Sequence, residues 1–206
     1  MLALARVCLR SYARRLQGGR VAAVRVMALS TDTSHAFGPH RVHASEVFAE
    51  TLLSLGFVNL KPVVPGHVLF IPKRVVHRLG DLRRDELHDL WSLAHACSPA
   101  LEQHFCATAM TFAVQDGAAA GQTVPHVHVH VLPRKAGDFE RNDEVYDAID
   151  DSERKLSKDL DKERVARTPA EMAAEAAELR TVCAARVAQL LHASCSTVTP
   201  CEGAAV

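Results

Sequence analysis

The chain has 206 residues, enough for one domain with a hydrophobic core, and 48% of them are hydrophobic, as in ordinary globular proteins. Basic and acidic residues both number 24, so the net charge is zero, which argues against a general nucleic-acid-binding protein. No run of about 18 apolar residues occurs, so we expect no membrane span.

The six cysteines are scattered and form no C-x-x-C pair. This spacing argues against a zinc ribbon or a disulfide framework and favours a reducing compartment. The cysteines are Cys8, Cys97, Cys106, Cys183, Cys195 and Cys201.

Residues 1–30 contain six arginines and no acidic residue. Arg6, Arg10 and Arg14 would share one face of a helix. An arginine-rich, acid-free start of this kind is typical of a mitochondrial presequence. The alternatives are a basic leader without a targeting role and a shorter cytoplasmic form that starts at Met27.

After a predicted linker at residues 31–36, apolar runs alternate with turn signals and predict strands. Pro65 and Gly66 favour a tight turn, because proline presets φ and glycine accepts a positive φ. Short connections between strands imply antiparallel pairing. The predicted strands here are residues 47–51, 53–60 and 67–71.

A helix is predicted next, with Asp81 as its N-cap. Pro99 would remove a hydrogen bond to the carbonyl of His95, so we expect a kink or a break there. The apolar face recurs at i, i+3, i+4 and i+7 in Leu87, Leu90, Trp91 and Ala94.

The second half of the chain carries two predicted strands, residues 107–115 and 126–134, on either side of a glycine-rich loop. Residues 138–167 are strongly charged and predict a mobile loop. A helix start follows, with a capping box formed by Thr168 and Glu171 and with Pro169 at the first helical position. It predicts a C-terminal helix at residues 168–191, followed by a flexible tail at residues 192–206.

Three histidines alternate with valines in "HVHVHVLPR", which begins at His126. On a strand, His126, His128 and His130 would share one face and the valines the other. A histidine comb of this kind could chelate zinc or copper, with His67 or Asp116 as a further ligand, but no spacing singles out those residues.

Phosphate chemistry explains more of the neighbouring residues. Gly117 and Gly121 would let backbone amides approach an anion, and Gln122 and Thr123 add polar groups. Neutral imidazole is available as a nucleophile near pH 7, and a neighbouring donor could stabilise the phosphoryl oxygens. No P-loop motif occurs, so a Walker-type ATPase is not expected.

The run His126-Val127-His128-Val129-His130-Val131-Leu132 resembles the signature of the histidine triad family. The longer run "HVHVHVLPRKAGDF" resembles that family's diadenosine polyphosphate hydrolases in particular. The other similar stretches are "KPVVPGHV" at residues 61–68, "QDG" at 115–117, "AGQTV" at 120–124, "RND" at 141–143 and "EMAAEAA" at 171–177.

The resemblance implies a role for each site residue. His128 would be the nucleophile that takes the adenylyl group, and His130 and Gln115 would contact the α-phosphate oxygens. His126 and His67 would hold the nucleophilic ring. The other implied substrate-binding residues are Asn59 for the ribose hydroxyls, His40 near the nucleotide, and Gly121, Gln122, Thr123 and Val124 along the phosphate channel.

Phe37 and Leu69 are candidate walls of the base pocket, and Tyr146 matches a tyrosine linked to signalling in the family. Two positions depart from the family pattern, since Leu60 and Pro125 stand where basic residues are usual. These departures affect the expected substrate preference more than the chemistry.

The resemblance implies an α+β histidine triad fold, with an antiparallel sheet of about five strands and two helices. The domain would span residues 37–191. Two copies would form a homodimer in which the sheet continues from one to the other. The implied reaction is hydrolysis of diadenosine triphosphate to AMP and ADP through a covalent histidine–AMP intermediate. Mg²⁺ or Mn²⁺ would travel with the polyphosphate, with no protein metal site. A nucleoside phosphoramidase and a nucleotide-binding signalling module remain alternatives.

Overall fold

A computed structural model describes residues 34–154 and 166–196 of the chain. The predicted presequence and Met27 lie outside the described residues. Seven strands form. They are β1 (Ser34–Phe37), β2 (His40–His43), β3 (Val47–Glu50), β4 (Ser54–Val58), β5 (Val68–Pro72), β6 (Ala109–Ala113) and β7 (Val129–Arg134).

Five of these strands form one sheet in the order β3-β4-β5-β7-β6, and every neighbouring pair is antiparallel. This confirms the predicted five-stranded antiparallel sheet. The predicted linker at residues 31–36 is wrong in part, because Ser34–Phe37 pairs with His40–His43 as a separate hairpin. Gly38 turns this hairpin at a φ of 55°, a conformation that glycine adopts without strain.

The predicted first helix is α1 (Arg84–His104). Its start differs from the prediction, because Asp81 lies in a preceding single turn of 3-10 helix and Arg83 is the N-cap. The Glu86 carboxylate accepts a hydrogen bond from the Arg83 backbone N–H at 2.9 Å. Pro99 does not break the helix, which continues for another turn because Ala100 and Leu101 are buried there.

The charged segment at residues 138–167 is not a loop throughout. Helix α2 (Glu144–Arg154) forms within it and buries Val145, Ala148 and Ile149. Val145 and Ile149 pack with Leu132 of β7. Tyr146 points outward from this helix and is 54% exposed.

The C-terminal helix is α3 (Pro169–Ser196), which extends beyond its predicted end and takes in part of the predicted flexible tail. Its buried face, Met172, Ala176, Leu179 and Cys183, packs into the main core beside α1. A hydrogen bond with Cys183 and burial raise the pKa of the Cys97 thiol, so both cysteines behave as core residues.

The main core lies between the sheet and helices α1 and α3. As predicted, Val127, Val129 and Val131 face this core, where they meet Leu90 and Leu93 of α1. The histidines between these valines therefore point to the other side of the chain. No helix of the described residues is long and apolar enough to cross a membrane.

Candidate active site

The three histidines lie where β7 begins next to β5. Only His130 belongs to β7, so the strand predicted from His126 starts three residues later, at Val129. All three side chains are buried, with at most 1% of their surface exposed. His67 precedes β5 and is also fully buried. Burying four imidazoles together is costly unless their polar ring nitrogens are hydrogen-bonded.

His126 uses both ring nitrogens to hold the surrounding backbone. Its Nδ1 accepts a hydrogen bond from the Gly38 N–H at 3.1 Å. Its Nε2 therefore carries the proton and donates to the Pro72 carbonyl at 2.9 Å. Burial lowers the pKa of His126 to about 4, so the ring is neutral near pH 7. His126 consequently orients the site and is not free to act as the nucleophile.

His128 carries its proton on Nδ1, whereas His126 carries it on Nε2. Its Nδ1–H donates to the His126 carbonyl at 2.7 Å, which leaves the lone pair on Nε2. The edge of its ring meets Phe37, with ring centroids 5.4 Å apart, and the ring packs against His130 at 4.9 Å. The His128 ring is therefore fixed in the tautomer that a nucleophilic imidazole requires.

A relay of hydrogen bonds sets the tautomer of His130. The Val63 N–H donates to His67 Nδ1 at 3.2 Å, so the proton of His67 is on Nε2. His67 Nε2–H then donates to His130 Nδ1 at 3.0 Å. His130 must carry its own proton on Nε2, which makes it a donor toward a phosphoryl oxygen.

Gln115 is buried, and its amide nitrogen donates to the carboxylate of Asp150 on α2. Its Oε1 has no hydrogen-bond partner within the described part of the chain. Sequence reasoning missed Asp150, because its segment was taken as a loop. The predicted contact between Gln115 and the α-phosphate stays a prediction.

The glycine-rich loop is stabilised from within by Gln122. The Gly117 N–H donates to Gln122 Oε1 at 2.8 Å, and Gln122 Nε2 donates to the His77 carbonyl at 3.0 Å. Gln122 therefore supports the loop, and its predicted place along the phosphate channel stays a prediction. Gly117 and Gly121 both have positive φ angles, 104° and 90°, as expected for backbone that approaches a ligand closely.

A cavity of about 310 Å³ lies beside the histidines. Two residues predicted to lie at the nucleoside, His40 and Asn59, share this cavity with the predicted base-pocket walls Phe37 and Leu69. It also takes in Val124 and His130, which were predicted to lie along the phosphates. Sequence reasoning gave no binding role to Phe57 and Met172, which also line this cavity. Each lies in a regular element, where an apolar residue signals core packing rather than a site. The cavity is suited to a planar base, and His130 connects it to the reactive histidines.

The described residues contain no group of three or more His, Cys, Asp or Glu placed to hold a metal ion. The hydrogen bonds of the histidines occupy most of the ring nitrogens that a chelating comb would need. Both nitrogens of His126, Nδ1 of His128 and Nδ1 of His130 already have backbone or histidine partners. This arrangement favours phosphate chemistry over the metal site considered from the sequence.

A methyl group at Gly121 is expected to disrupt the glycine-rich loop. The added Cβ would lie 2.5 Å from Gln115 Nε2 and 2.8 Å from Asp150 Oδ1, at a φ of 90° that strains any L-residue. We expect Gly121→Ala to lower kcat/KM about tenfold and the free energy of unfolding by about 1–3 kcal/mol. Gly80→Ala is the control for steady-state kinetics and urea unfolding, since its Cβ would have no atom within 4 Å. Equal effects of the two substitutions would contradict this role.

Comparison with known proteins agrees with this geometry. A model of the HIT domain matches residues 40–137. A bifunctional bis(5'-adenosyl)-triphosphatase/adenylylsulfatase from Arabidopsis thaliana is 52% identical over 155 residues, which cover 74% of this chain and 86% of the relative. The chain belongs to the histidine triad family. The predicted family motif and the predicted α+β histidine triad fold, with its five-stranded antiparallel sheet, are thereby confirmed.

Two further proteins are similar to this chain over most of their length. A bis(5'-adenosyl)-triphosphatase from Dictyostelium discoideum is 49% identical over 148 residues, 72% of this chain and 92% of the relative. The crystal structure of a diadenosine triphosphate hydrolase from Plasmodium falciparum, in complex with Cyclomarin A, is 29% identical. It superposes with a TM-score of 0.59 over 75% of this chain and 87% of its own.

Proposed function

We propose that this chain hydrolyses diadenosine polyphosphates, chiefly diadenosine triphosphate, to AMP and ADP. The observation that carries the proposal is the pairing of an Nε2 lone pair on His128 with an Nε2–H donor on His130, beside a cavity for a nucleoside. Relatives that are about half identical over most of this chain are named for the same reaction.

The first step is attack of His128 Nε2 on the α-phosphorus. A bond forms between Nε2 and phosphorus, the bond from phosphorus to the bridging oxygen breaks, and ADP leaves with that electron pair. The adenylylated ring is cationic, and its Nδ1–H remains hydrogen-bonded to the His126 carbonyl, which stabilises the charge. His130 Nε2–H stabilises the phosphoryl oxygens.

Water completes the reaction. Its oxygen attacks the same phosphorus, and the bond from phosphorus to Nε2 breaks with its electron pair returning to Nε2. The water gives up a proton to solvent, AMP leaves, and His128 is again the neutral tautomer. Two displacements avoid a direct attack of water on the polyanionic substrate.

Hydrolysis in oxygen-18 water tests which phosphorus atom of the substrate is attacked. Attack at the α-phosphorus puts the label in AMP and none in ADP. Label in ADP would show attack at the central phosphorus and contradict the proposed reaction.

Two alternatives have their own outcomes. Faster turnover of adenosine 5'-phosphoramidate than of diadenosine triphosphate would indicate a phosphoramidase. Tight binding of diadenosine triphosphate with very slow turnover would indicate a nucleotide-binding signalling module. We expect kcat/KM for diadenosine triphosphate to exceed that for the phosphoramidate.

We also propose that Mg²⁺ or Mn²⁺ enters with the polyphosphate as part of the substrate, because it neutralises phosphate charge without a protein cage. Titration of either ion against diadenosine triphosphate should raise the rate in step with the fraction of metal-bound substrate. A rate that saturates when the metal concentration matches the enzyme concentration would instead indicate a metal site on the protein.

A homodimer through β6 is proposed as well. This strand ends the sheet and exposes Phe112, which is 40% exposed and has its ring 6.4 Å from that of Trp91 on α1. An exposed, apolar sheet edge favours pairing with a second copy. We expect light scattering to give a dimer mass for the wild type and a monomer mass for Phe112→Asp. A wild-type monomer would contradict the proposal.

The arginine-rich, acid-free residues 1–30 support a proposal of mitochondrial import, with the cytoplasm as the alternative. Mass spectrometry of the mature N-terminus tests it. Loss of the first residues in mitochondria would support import, and an intact Met1 would contradict it.

A further inference from the structure

The nucleoside cavity is bordered by two segments that are far apart in the sequence. Asn59 and Leu60, which follow β4, line one side, and Met172 in the first turn of α3 lines another. The residues just before α3 run alongside Asn59 and Leu60. One of them, Arg167, joins the two segments by hydrogen bonds. Nothing in the proposed reaction yet uses this side chain.

Arg167 holds the Asn59–Leu60 segment by its backbone. Its Nε–H donates to the Asn59 carbonyl at 3.1 Å, and its Nη2–H donates to the same oxygen. Its own backbone N–H donates to the Leu60 carbonyl at 3.0 Å. A guanidinium holds its N–H donors in one rigid plane. The two hydrogen bonds therefore fix both the position and the direction of the Asn59 carbonyl.

Glu175 fixes Arg167 in turn. The Glu175 carboxylate, one helical turn beyond Glu171 on α3, pairs with Arg167 Nη1, and both side chains are only 19% exposed. An ion pair shielded to this extent orients its partners better than an exposed pair does. Helix α3 thus holds the guanidinium, and the guanidinium holds the backbone of Asn59.

The backbone of Asn59 determines where its amide lies. Asn59 Oδ1 accepts the Lys61 N–H at 3.0 Å, and Nδ2 lies 3.5 Å from His67 Nδ1, the ring nitrogen that carries the lone pair. His67 in turn contacts His130 at 3.0 Å. A shift of the Asn59 carbonyl would therefore move the amide that is predicted to face the ribose, next to the residues that hold the phosphate.

We propose that Arg167, oriented by Glu175, is a positioning residue that sets Asn59 for recognition of the ribose hydroxyls of the bound nucleotide. The assignment rests on the proposed function in taking a nucleotide as the ligand of this cavity and Asn59 as its ribose contact. Arg167 acts through Asn59 and does not itself contact the reacting atoms. Its loss reduces discrimination for the sugar before it affects the chemical step.

The test is the affinity of the full chain for two ligands, AMP and 2',3'-dideoxy-AMP, measured by calorimetry. The wild type should bind AMP about tenfold more tightly, as expected for hydrogen bonds to the ribose. Arg167→Gln should reduce that preference to about twofold or less by weakening AMP alone. Arg167→Lys, which keeps the charge but lacks the rigid fork, should fall between the two.

Arg180→Gln is the matched control. Arg180 also lies on α3 and donates to a backbone carbonyl, that of Val47 at 2.5 Å, but it does not line the nucleoside cavity. The Arg180→Gln variant should lose about as much thermal stability as Arg167→Gln, while its preference for AMP remains. Equal weakening of both ligands in Arg167→Gln, or an unchanged preference, would overturn the proposal.

Turnover of diadenosine triphosphate by the same preparations separates this inference from the proposed function. Wild-type protein that binds AMP selectively but fails to hydrolyse the substrate would contradict the function, and loss of preference in Arg167→Gln would still support the positioning role. Active wild-type protein with an unaltered preference in Arg167→Gln would contradict the positioning role alone.

Discussion

Replacement of His128 by asparagine is expected to lower kcat for diadenosine triphosphate by about 10⁴-fold or more while the affinity for substrate stays within about threefold. The reason is that Nε2 of His128 carries the lone pair of the attacking group, whereas the nucleoside cavity is lined by other residues. Steady-state kinetics gives the rate, and calorimetry with the inactive variant gives the affinity.

His88→Asn is the control for this substitution. His88 is an exposed histidine on α1, away from the four buried imidazoles, and its loss should leave kcat unchanged. Near-normal turnover by His128→Asn would rule out the covalent mechanism. Equal loss in both variants would point to a general effect on folding.

Acidification is expected to destabilise the fold through His126. Burial lowers the pKa of this ring to about 4, whereas the unfolded chain takes up the proton near the ordinary value of about 6.5. The unfolded state therefore binds more protons between these values, and stability falls as the pH drops through that window. The loss approaches about 3 kcal/mol below pH 4 and is absent above about pH 7.

Urea unfolding at about pH 7.5 and about pH 4.5 measures this loss, with His126→Gln as the comparison. The variant should be less stable near neutral pH, because the hydrogen bonds to Gly38 and Pro72 are lost. Its stability should nevertheless fall less between the two pH values. Identical falls in both proteins would show that another group is responsible.

The sheet, both long helices and the reactive histidines could be predicted because their signals are local. Valine alternation around His128 places the valines in the core, and the capping box at Thr168 marks the start of α3. Helix α2 was missed, although Val145, Ala148 and Ile149 have helical spacing. Three apolar residues were too few to outweigh the charged residues around them.

The hydrogen bonds that define the site could not be predicted, because their partners are distant in the chain. His126 meets Gly38 across 88 residues and Pro72 across 54, and these contacts decide its tautomer. Arg167 reaches Asn59 across 108 residues. A motif shows which side chains are present, but the backbone carbonyls and amides that orient them are supplied by the fold.

The most direct test of the account is to look for the covalent intermediate. Wild-type protein mixed with diadenosine triphosphate, quenched in base within the first turnover and digested should yield a peptide that carries AMP on His128. ADP should appear in a burst that matches the enzyme concentration, ahead of AMP. Simultaneous release of ADP and AMP with no adduct, or an adduct on another residue, would contradict the mechanism.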